Sequence, residues 1–427
     1  MFYYCIYFLI TPLLYLFLHF LKFFNQKIYI HLKNEKVTFK KVKNKLKHID
    51  RTNTKVLIFH AASAGEYEQI KPILNKIDKS KYFIIQTFSS PTIYNSIKDN
   101  ELFDVCCYHP YDIWWGSYMF FNSIKPDAYI ITRHDIWPMH LFIAYRLNIK
   151  TFYINANIHK NSIWIKPFIH NFSKTIFSYF TLVCVPSEMI KDKIKTIISE
   201  EKVIITGDSR FEQVINRYTK NSENKYLHDN FLDSNNIIFG SYDQYDEKII
   251  LNSIDYCFPN GDKDLEEKNS RLIFVPHEID YQGIKQLQNN LKGRGISSSL
   301  YTENNNNDKI SNVLIVDTVG ILADIYKYAN LAYIGSGFGA GVHSVIEPGI
   351  YGCIVSFGPN IDLLDEAIYI YQNNLGYMIN DKIDMCRFMK NNYSDSLEES
   401  KGNALKEYIL SHKNISKTVL NHIESCI

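Results

Sequence analysis

Four short strings place ionisable or glycine-rich residues directly after apolar runs, where α/β proteins hold the side chains that do chemistry. The first is Phe59-His60-Ala61-Ala62-Ser63-Ala64-Gly65-Glu66. Small residues turn the chain, and a helix is expected from Glu66 to Ile77. A carboxylate there either takes a proton from a hydroxyl as general base or caps the helix, since acids favour first turns. The second is Ile131-Thr132-Arg133-His134-Asp135-Ile136-Trp137-Pro138. Three ionisable side chains after a buried strand fit a catalytic cluster, and they equally fit a local ion pair with Asp135 as N-cap. The third is Ile205-Thr206-Gly207-Asp208-Ser209-Arg210-Phe211. Arg210 suits bidentate contact with a phosphate or carboxylate, or is a solvated loop arginine. The fourth runs from Tyr333 through Gly335, Gly337, Gly339 and Gly341 to Glu347 and Pro348. Its glycines let backbone approach a ligand and offer N–H groups to an anion, or they serve a tight packing turn. Their spacing is not the dinucleotide fingerprint. Glu347, in the helix expected next, is placed to bond ribose hydroxyls.

The elements that must carry these strings follow a βαβ rhythm. Strands are expected at 55–59, 82–87, 128–132, 151–155, 182–185 and 203–206, and again at 237–240, 271–275, 313–316 and 331–334. Continuous apolar runs of this length predict parallel strands buried on both faces. A polar stretch at 216–235 reads as a linker, and 260–270 and Asn304–Asn307 as surface loops. The expected organisation is a segment 1–21, a basic segment 22–54, a Rossmann-like domain 55–215, the linker, and a second Rossmann-like domain 236–427. The fold class is α/β, with two such domains facing a cleft and ligands at the carboxyl ends of strands.

Phe2 to Leu21 contains no Asp, Glu, Lys or Arg. That predicts a membrane anchor, with a buried core helix as the alternative. Ten Lys and Arg residues follow between Lys22 and Arg51, opposed only by Glu35 and Asp50. They predict attraction to anionic lipid and place the body of the protein in the cytoplasm. A cleaved signal peptide fits poorly, for want of a basic start and a small-residue cleavage site. The 427 residues are 46% hydrophobic and 22% charged, with net charge +2, which gives no electrostatic reason to expect a nucleic-acid partner. None of the 8 cysteines has zinc-like spacing, so reduced thiols and no metal are expected.

Seven strings in one order are HAASAGEYEQ from His60, DIWP from Asp135, TGDSRFE from Thr206, VPHE from Val275, DTVGILADIY from Asp317, GSGFGAGVHSVIEP from Gly335 and FGPN from Phe357. Together they resemble the transferases of 3-deoxy-D-manno-octulosonic acid (Kdo) in the lipid A pathway, which have the GT-B fold. The resemblance covers nearly all of the chain after residue 55. It implies an inverting glycosyltransferase at the inner membrane, with CMP-Kdo as donor, a lipid A precursor as acceptor, and no cofactor. Glu66 matches the family's general base, and Asp135 and Arg210 its transition-state-stabilising positions. Pro276 and His277, Gly320, Ile321 and Leu322, and Ser344, Val345, Ile346 and Glu347 fall on its CMP-binding segments, beside Gly337, Gly339 and Gly341. Pro276-His277-Glu278 stands where the family often has Pro-Arg-His-Pro, so the phosphate is left to the helix N-terminus expected after Gly341. The alternatives are a UDP-sugar transferase or epimerase of the same fold, and a membrane-bound protein that binds a sugar nucleotide without turning it over.

Overall fold

A computed structural model describes residues 2–220, 226–228, 231–303, 311–390 and 396–427. The loop expected at Asn304–Asn307 and positions 221–225, 229 and 230 of the expected linker lie outside the described residues.

Two seven-stranded parallel sheets organise the described chain. The first contains β1 (Lys55–Ala61), β2 (Tyr82–Phe88), β3 (Val105–Tyr108), β4 (Ala128–Thr132), β5 (Lys150–Ile154), β6 (Leu182–Val185) and β7 (Val203–Ile205), in the order β3-β2-β1-β4-β5-β6-β7. The second contains β8 (Asn235–Tyr242), β9 (Ser270–Pro276), β10 (Ser298–Leu300), β11 (Val313–Ile315), β12 (Leu331–Ile334), β13 (Ile354–Phe357) and β14 (Gly376–Met378), in the order β10-β11-β9-β8-β12-β13-β14. The central strands carry continuous apolar runs because helices cover both faces. Val56, Ile58, Ile237 and Phe239 are buried accordingly. The expected α/β architecture is present, and expected strand ends fall close to the observed ones. Four strands are not among those expected: β3, β10 and β14 are short edge strands, and β13 lies between β12 and β14.

Strand order creates a switch point in each sheet. From β1 the chain steps outward to β2 and β3, then returns to lay β4 along the other side of β1. β8 and β12 repeat that relation in the second sheet. The carboxyl ends at such a point diverge and leave room for a ligand. β1 and β4 lead into the Glu66 and Asp135 strings. β8 and β12 lead into Asp243 and the glycine turn.

The chain divides into Met1–Gln213 with Asn414–Ile427, and Val214–Lys413. The second domain, expected to run to 427, therefore stops at Lys413. The helix Ile415–Glu424 lies with the first unit, where the Ser416 N–H donates to the Glu212 carboxylate at 2.8 Å. The expected loop at 260–270 also needs correction. It contains a helix, Asp262–Glu267, anchored by the fully buried Leu265.

Helices α1 (Phe2–Leu21) and α2 (Gln26–Leu46) meet at a bend of 113° between Leu21 and Gln26. No single described helix is long and apolar enough to cross a membrane, although this bent pair passes that test jointly. One face of α1 lies on the first unit. The Tyr7 hydroxyl donates to Asp112, Thr11 is buried, and the Tyr15 ring stands edge-on to Trp115 at 6.0 Å. Leu9, Leu13, Leu16, Phe17 and Phe20 are exposed on α1. The basic segment is mostly α2, which buries His31, Thr38 and Val42 and keeps Lys27, Lys33, Lys36, Lys40, Lys41, Lys43 and Lys45 exposed. The described cysteine side chains are free thiols.

Candidate active site

β1 ends in Ala61, and helix α3 (Ala64–Leu74) begins two residues after Ala62. Ser63 is its N-cap and accepts the Glu66 N–H at 3.3 Å. The Glu66 side chain turns back, and its Oε2 accepts the Ala62 N–H at 2.6 Å. The capping geometry is therefore real. Glu66 is 8% exposed, and burial raises its pKa, with the nearby Asp135 carboxylate raising it further, while the backbone N–H groups of Ala62 and Ser63 both act to lower it. A raised carboxyl pKa is the direction that strengthens a general base.

Asp135 has a partner that the sequence reading did not assign. The His60 ring lies at the end of β1, with Nε2 2.6 Å from Asp135 Oδ2 and Nδ1 2.8 Å from Thr87 Oγ1. Burial works to raise the Asp135 pKa, but His60 outweighs it and the net shift is downward. The site thus holds two carboxyls in opposite states, one biased toward its proton and one fixed as the anion. Behind His60 runs a line of buried imidazoles. His109 stacks on it at 4.0 Å, and His109 Nε2 lies 3.0 Å from His140 Nδ1. Burial keeps His140 neutral, with a pKa of about 3. Asp112 accepts the His140 N–H at 2.9 Å and also receives Tyr7 of α1.

Arg210 does not hang in solvent. It sits in the first turn of the helix Ser209–Lys220, and its Nε and Nη2 reach Asp208 Oδ2 at 2.9 and 2.8 Å. Arg133 Nη1 approaches the same oxygen at 3.9 Å. Asp208 is 4% exposed. Burial works to raise its pKa, and the arginines, Arg210 foremost, bring it below the ordinary range. One carboxylate thus pre-orients two guanidiniums and leaves a net positive charge. Asn155, held at φ 49°, fixes this loop by accepting the Ser209 N–H at 3.0 Å. The acid two residues before Arg210 was the available sign of Asp208's role. No sequence spacing marks the His60–Asp135 pair, whose members lie on β1 and in the loop after β4.

In the second unit Asp246 organises the glycine turn. It accepts from the Tyr333 hydroxyl at 2.6 Å, the Ser336 N–H at 2.6 Å and the Asp243 N–H at 2.9 Å. A Cβ on Gly335 would come within 2.3 Å of the Tyr242 Cα, and one on Gly337 within 2.5 Å of the Gly358 N. Close packing therefore accounts for these two glycines. Gly339 faces Asp243 and Gly341 takes φ +125°. The helix expected directly after Gly341 is not there. The next helix is the single turn Ile346–Gly349, too short to offer the expected terminus to a phosphate. The side chains of Val345 and Ile346 are fully buried, so only their backbone is available to a ligand. Glu347 is close enough to the Tyr326 hydroxyl to add to the burial that raises that phenol's pKa. Gly320 takes φ +91° beside Ile321 and Leu322, just ahead of Tyr326, and Ser344 is half-buried. Ring stacking at 4.4 Å joins His277 to His343, whose Nε2 lies 3.1 Å from Ser336 Oγ. Pro276 and His277 also line a cavity of about 440 Å³ with Asp243, Glu247, Glu278 and Asp280. So many carboxylates suit hydroxyl or amine groups better than a phosphate. No group of three or more His, Cys, Asp and Glu among the described residues is placed to hold a metal ion.

Residues 37–213 match the family model described as 3-deoxy-D-manno-octulosonic-acid transferase. The chain is 24% identical to the 3-deoxy-D-manno-octulosonic acid transferase of Chlamydia trachomatis, over 71% of this chain and 70% of that one. It is 25% identical to the transferase of that name from Aquifex aeolicus, over 70% and 75%. The match to the Rickettsia typhi transferase is 24% identical over 84% and 77%. Among solved structures, the UDP-GlcNAc 2-epimerase of Neisseria meningitidis superposes with a TM-score of 0.61 at 13% identity, covering 87% of this chain and all of that one. That likeness concerns the fold, two α/β units of GT-B type. The family and sequence matches make the chain a glycosyltransferase. Within that class these matches are to Kdo transferases.

Proposed function

We propose that the chain transfers Kdo from CMP-Kdo to a hydroxyl of a lipid A precursor, with inversion at the anomeric carbon, as a step of lipopolysaccharide synthesis. The observation that carries this reading is the pair of carboxyls after β1 and β4, the buried Glu66 biased toward its proton and the partly buried Asp135 held as the anion by His60. Glu66 accepts the proton of the acceptor hydroxyl. The freed oxygen bonds to the anomeric carbon while the bond from that carbon to the phosphate oxygen breaks, and its electron pair leaves with CMP. Positive charge grows on the sugar in the transition state, where the Asp135 carboxylate stabilises it. Arg210 and Arg133, oriented by Asp208, supply fixed positive charge for the departing phosphate. His60 acts as a positioning residue through Asp135.

In this reading the second unit holds the donor. Glu347 bonds the ribose hydroxyls. Backbone N–H groups near Gly337, Gly339, Gly341, Ser344, Val345 and Ile346 approach the nucleotide, together with Pro276, His277, Gly320, Ile321 and Leu322. CMP carries a single phosphate, so the scheme requires no metal to neutralise a diphosphate. The exposed apolar face of α1 rests in the inner membrane from the cytoplasmic side, and the α2 lysines meet anionic lipid.

The test offers the purified full chain a tetra-acylated lipid A precursor with CMP-Kdo, UDP-GlcNAc or UDP-glucose, and follows products by mass spectrometry. Transfer from CMP-Kdo alone is expected. Turnover of a UDP-sugar with none of CMP-Kdo overturns the reading and leaves the UDP-sugar alternative.

A further inference from the structure

The first unit carries a separate cavity of about 190 Å³ whose lining includes neither Glu66 nor Asp135. Tyr15 of α1, Glu35 and Phe39 of α2, and Tyr108, Tyr111 and Trp115 form much of its wall. The Tyr15 ring stands edge-on to Tyr111 at 6.3 Å and to Trp115 at 6.0 Å. Among the described residues, the Glu35 carboxylate has no hydrogen bond or ion pair. An unpartnered carboxylate among aromatic rings is costly to keep ionised unless a cation joins it. Aromatic faces around a carboxylate are the surroundings that organic ammonium groups prefer. Lys36 is the only other charged residue in the lining, and it is exposed. A negative group beside a positive one complements a ligand with the reverse pair, an ammonium inside and a phosphate at the mouth.

We propose that this cavity binds a phospho-ammonium head group, with Glu35 pairing the ammonium, the rings of Tyr15, Tyr111 and Trp115 enclosing it, and Lys36 meeting the phosphate. Its size agrees, since a cavity of about 150 Å³ takes a six-atom ring. Choline and ethanolamine are of that order, and a sugar nucleotide is far larger. The surroundings favour a lipid as the source. Trp114 and Met119 are exposed beside the cavity, and α1 turns Leu13, Leu16 and Phe17 outward. Burial pushes the empty Glu35 carboxyl up to about 7, against the pull of Lys36. Ammonium binding therefore weakens as pH falls below that value, because the counter-ion gains a proton. Tyr15, Tyr108 and Tyr111 are the other titratable groups in the lining.

Calorimetry on the full chain distinguishes the sources. The soluble probe is glycerophosphoethanolamine, and glycerol 3-phosphate, which lacks the ammonium, is the control. Vesicles of phosphatidylethanolamine with phosphatidylglycerol are compared with vesicles of phosphatidylglycerol alone. Saturable binding of the soluble probe, weakened about tenfold by Glu35→Gln, is expected. An effect of Glu35→Gln seen only with the ethanolamine-containing vesicles also supports the site and assigns it to lipid. The proposal is overturned if glycerol 3-phosphate binds as well as the amine, or if Glu35→Gln leaves both amine probe and vesicle binding unchanged. Lys36→Gln is expected to weaken the phosphate-bearing probe and to leave ethanolamine itself unaffected or bound more tightly. Loss of ethanolamine binding in that variant also counts against the arrangement.

Discussion

Replacing Glu66 by Gln separates chemistry from helix capping, because the hydrogen bond from the Ala62 N–H needs only an acceptor oxygen whereas the base needs a carboxylate. A glutamine carbonyl in the place of Oε2 keeps that hydrogen bond and loses the base. A positioned general base contributes about 10²–10⁴-fold in rate, or about 2.7–5.4 kcal/mol of barrier. A fall of that size in kcat is expected, with donor affinity nearly unchanged. Stability is expected to move the other way. Folding raises the Glu66 pKa, so its contribution is fully favourable below the unfolded value of about 4.3 and is lost as pH rises through the folded value. Near neutral pH the ionised carboxylate is a burden that glutamine lacks. Glu66→Gln should therefore melt at the same temperature as the parent or higher near neutral pH, and lose that advantage near pH 4. Single-turnover transfer and thermal melting on the same preparation read both quantities. A variant that melts lower yet transfers Kdo at the parent rate refutes the assignment, makes Glu66 a cap, and moves the base to Asp135.

Asp208→Asn leaves two guanidiniums without their shared counter-ion and should cost about 3 kcal/mol in urea unfolding near neutral pH. The Asp208 pKa is lowered, so its contribution is present above the unfolded value and lost as pH falls through the folded one. The difference between parent and variant should shrink in acid. Leu13→Ser with Phe17→Ser removes apolar area from the exposed face of α1 without touching Tyr7, Thr11 or Tyr15. Flotation with anionic vesicles should drop about tenfold or more, while melting stays unchanged. Transfer activity should survive EDTA, and a complete, magnesium-reversible loss would argue for a diphosphate donor.

Most strands that sequence patterning located have neighbours on both sides, such as LIF in β1 and LAYI in β12, where double-sided burial demands a continuous apolar run. The edge strand β7 is also among the expected strands, and β13, paired on both sides, is not. Ser298–Leu300 and Gly376–Met378 are edges paired on one side, and their sequences carry no such run. The last helix was assigned to the wrong unit because an amphipathic stripe says that a helix is covered and not by what. Residue type and position at strand ends marked Glu66, Asp135 and Arg210 as candidates with capping, ion-pair and solvated-loop alternatives open, and the family resemblance supplied their proposed roles. What remained hidden were contacts across long separations. Asp135 meets His60 at a sequence distance of 75, and Arg133 meets Asp208 through two different loops. The glycine turn misled in a different way. Its glycines announce close approach of backbone, but the neighbour for two of them is the protein's own chain at Tyr242 and Gly358.

The central claim is that Glu66 and Asp135 serve an inverting transfer of Kdo from CMP-Kdo. It is tested most directly by incubating the full chain with CMP-Kdo and a tetra-acylated lipid A precursor and determining the anomeric configuration of the product by NMR. The account predicts a Kdo-lipid with configuration opposite to that of the donor, formed by the parent chain and reduced about 10²–10⁴-fold in Glu66→Gln. A product of retained configuration, or equal amounts from parent and variant, would contradict it.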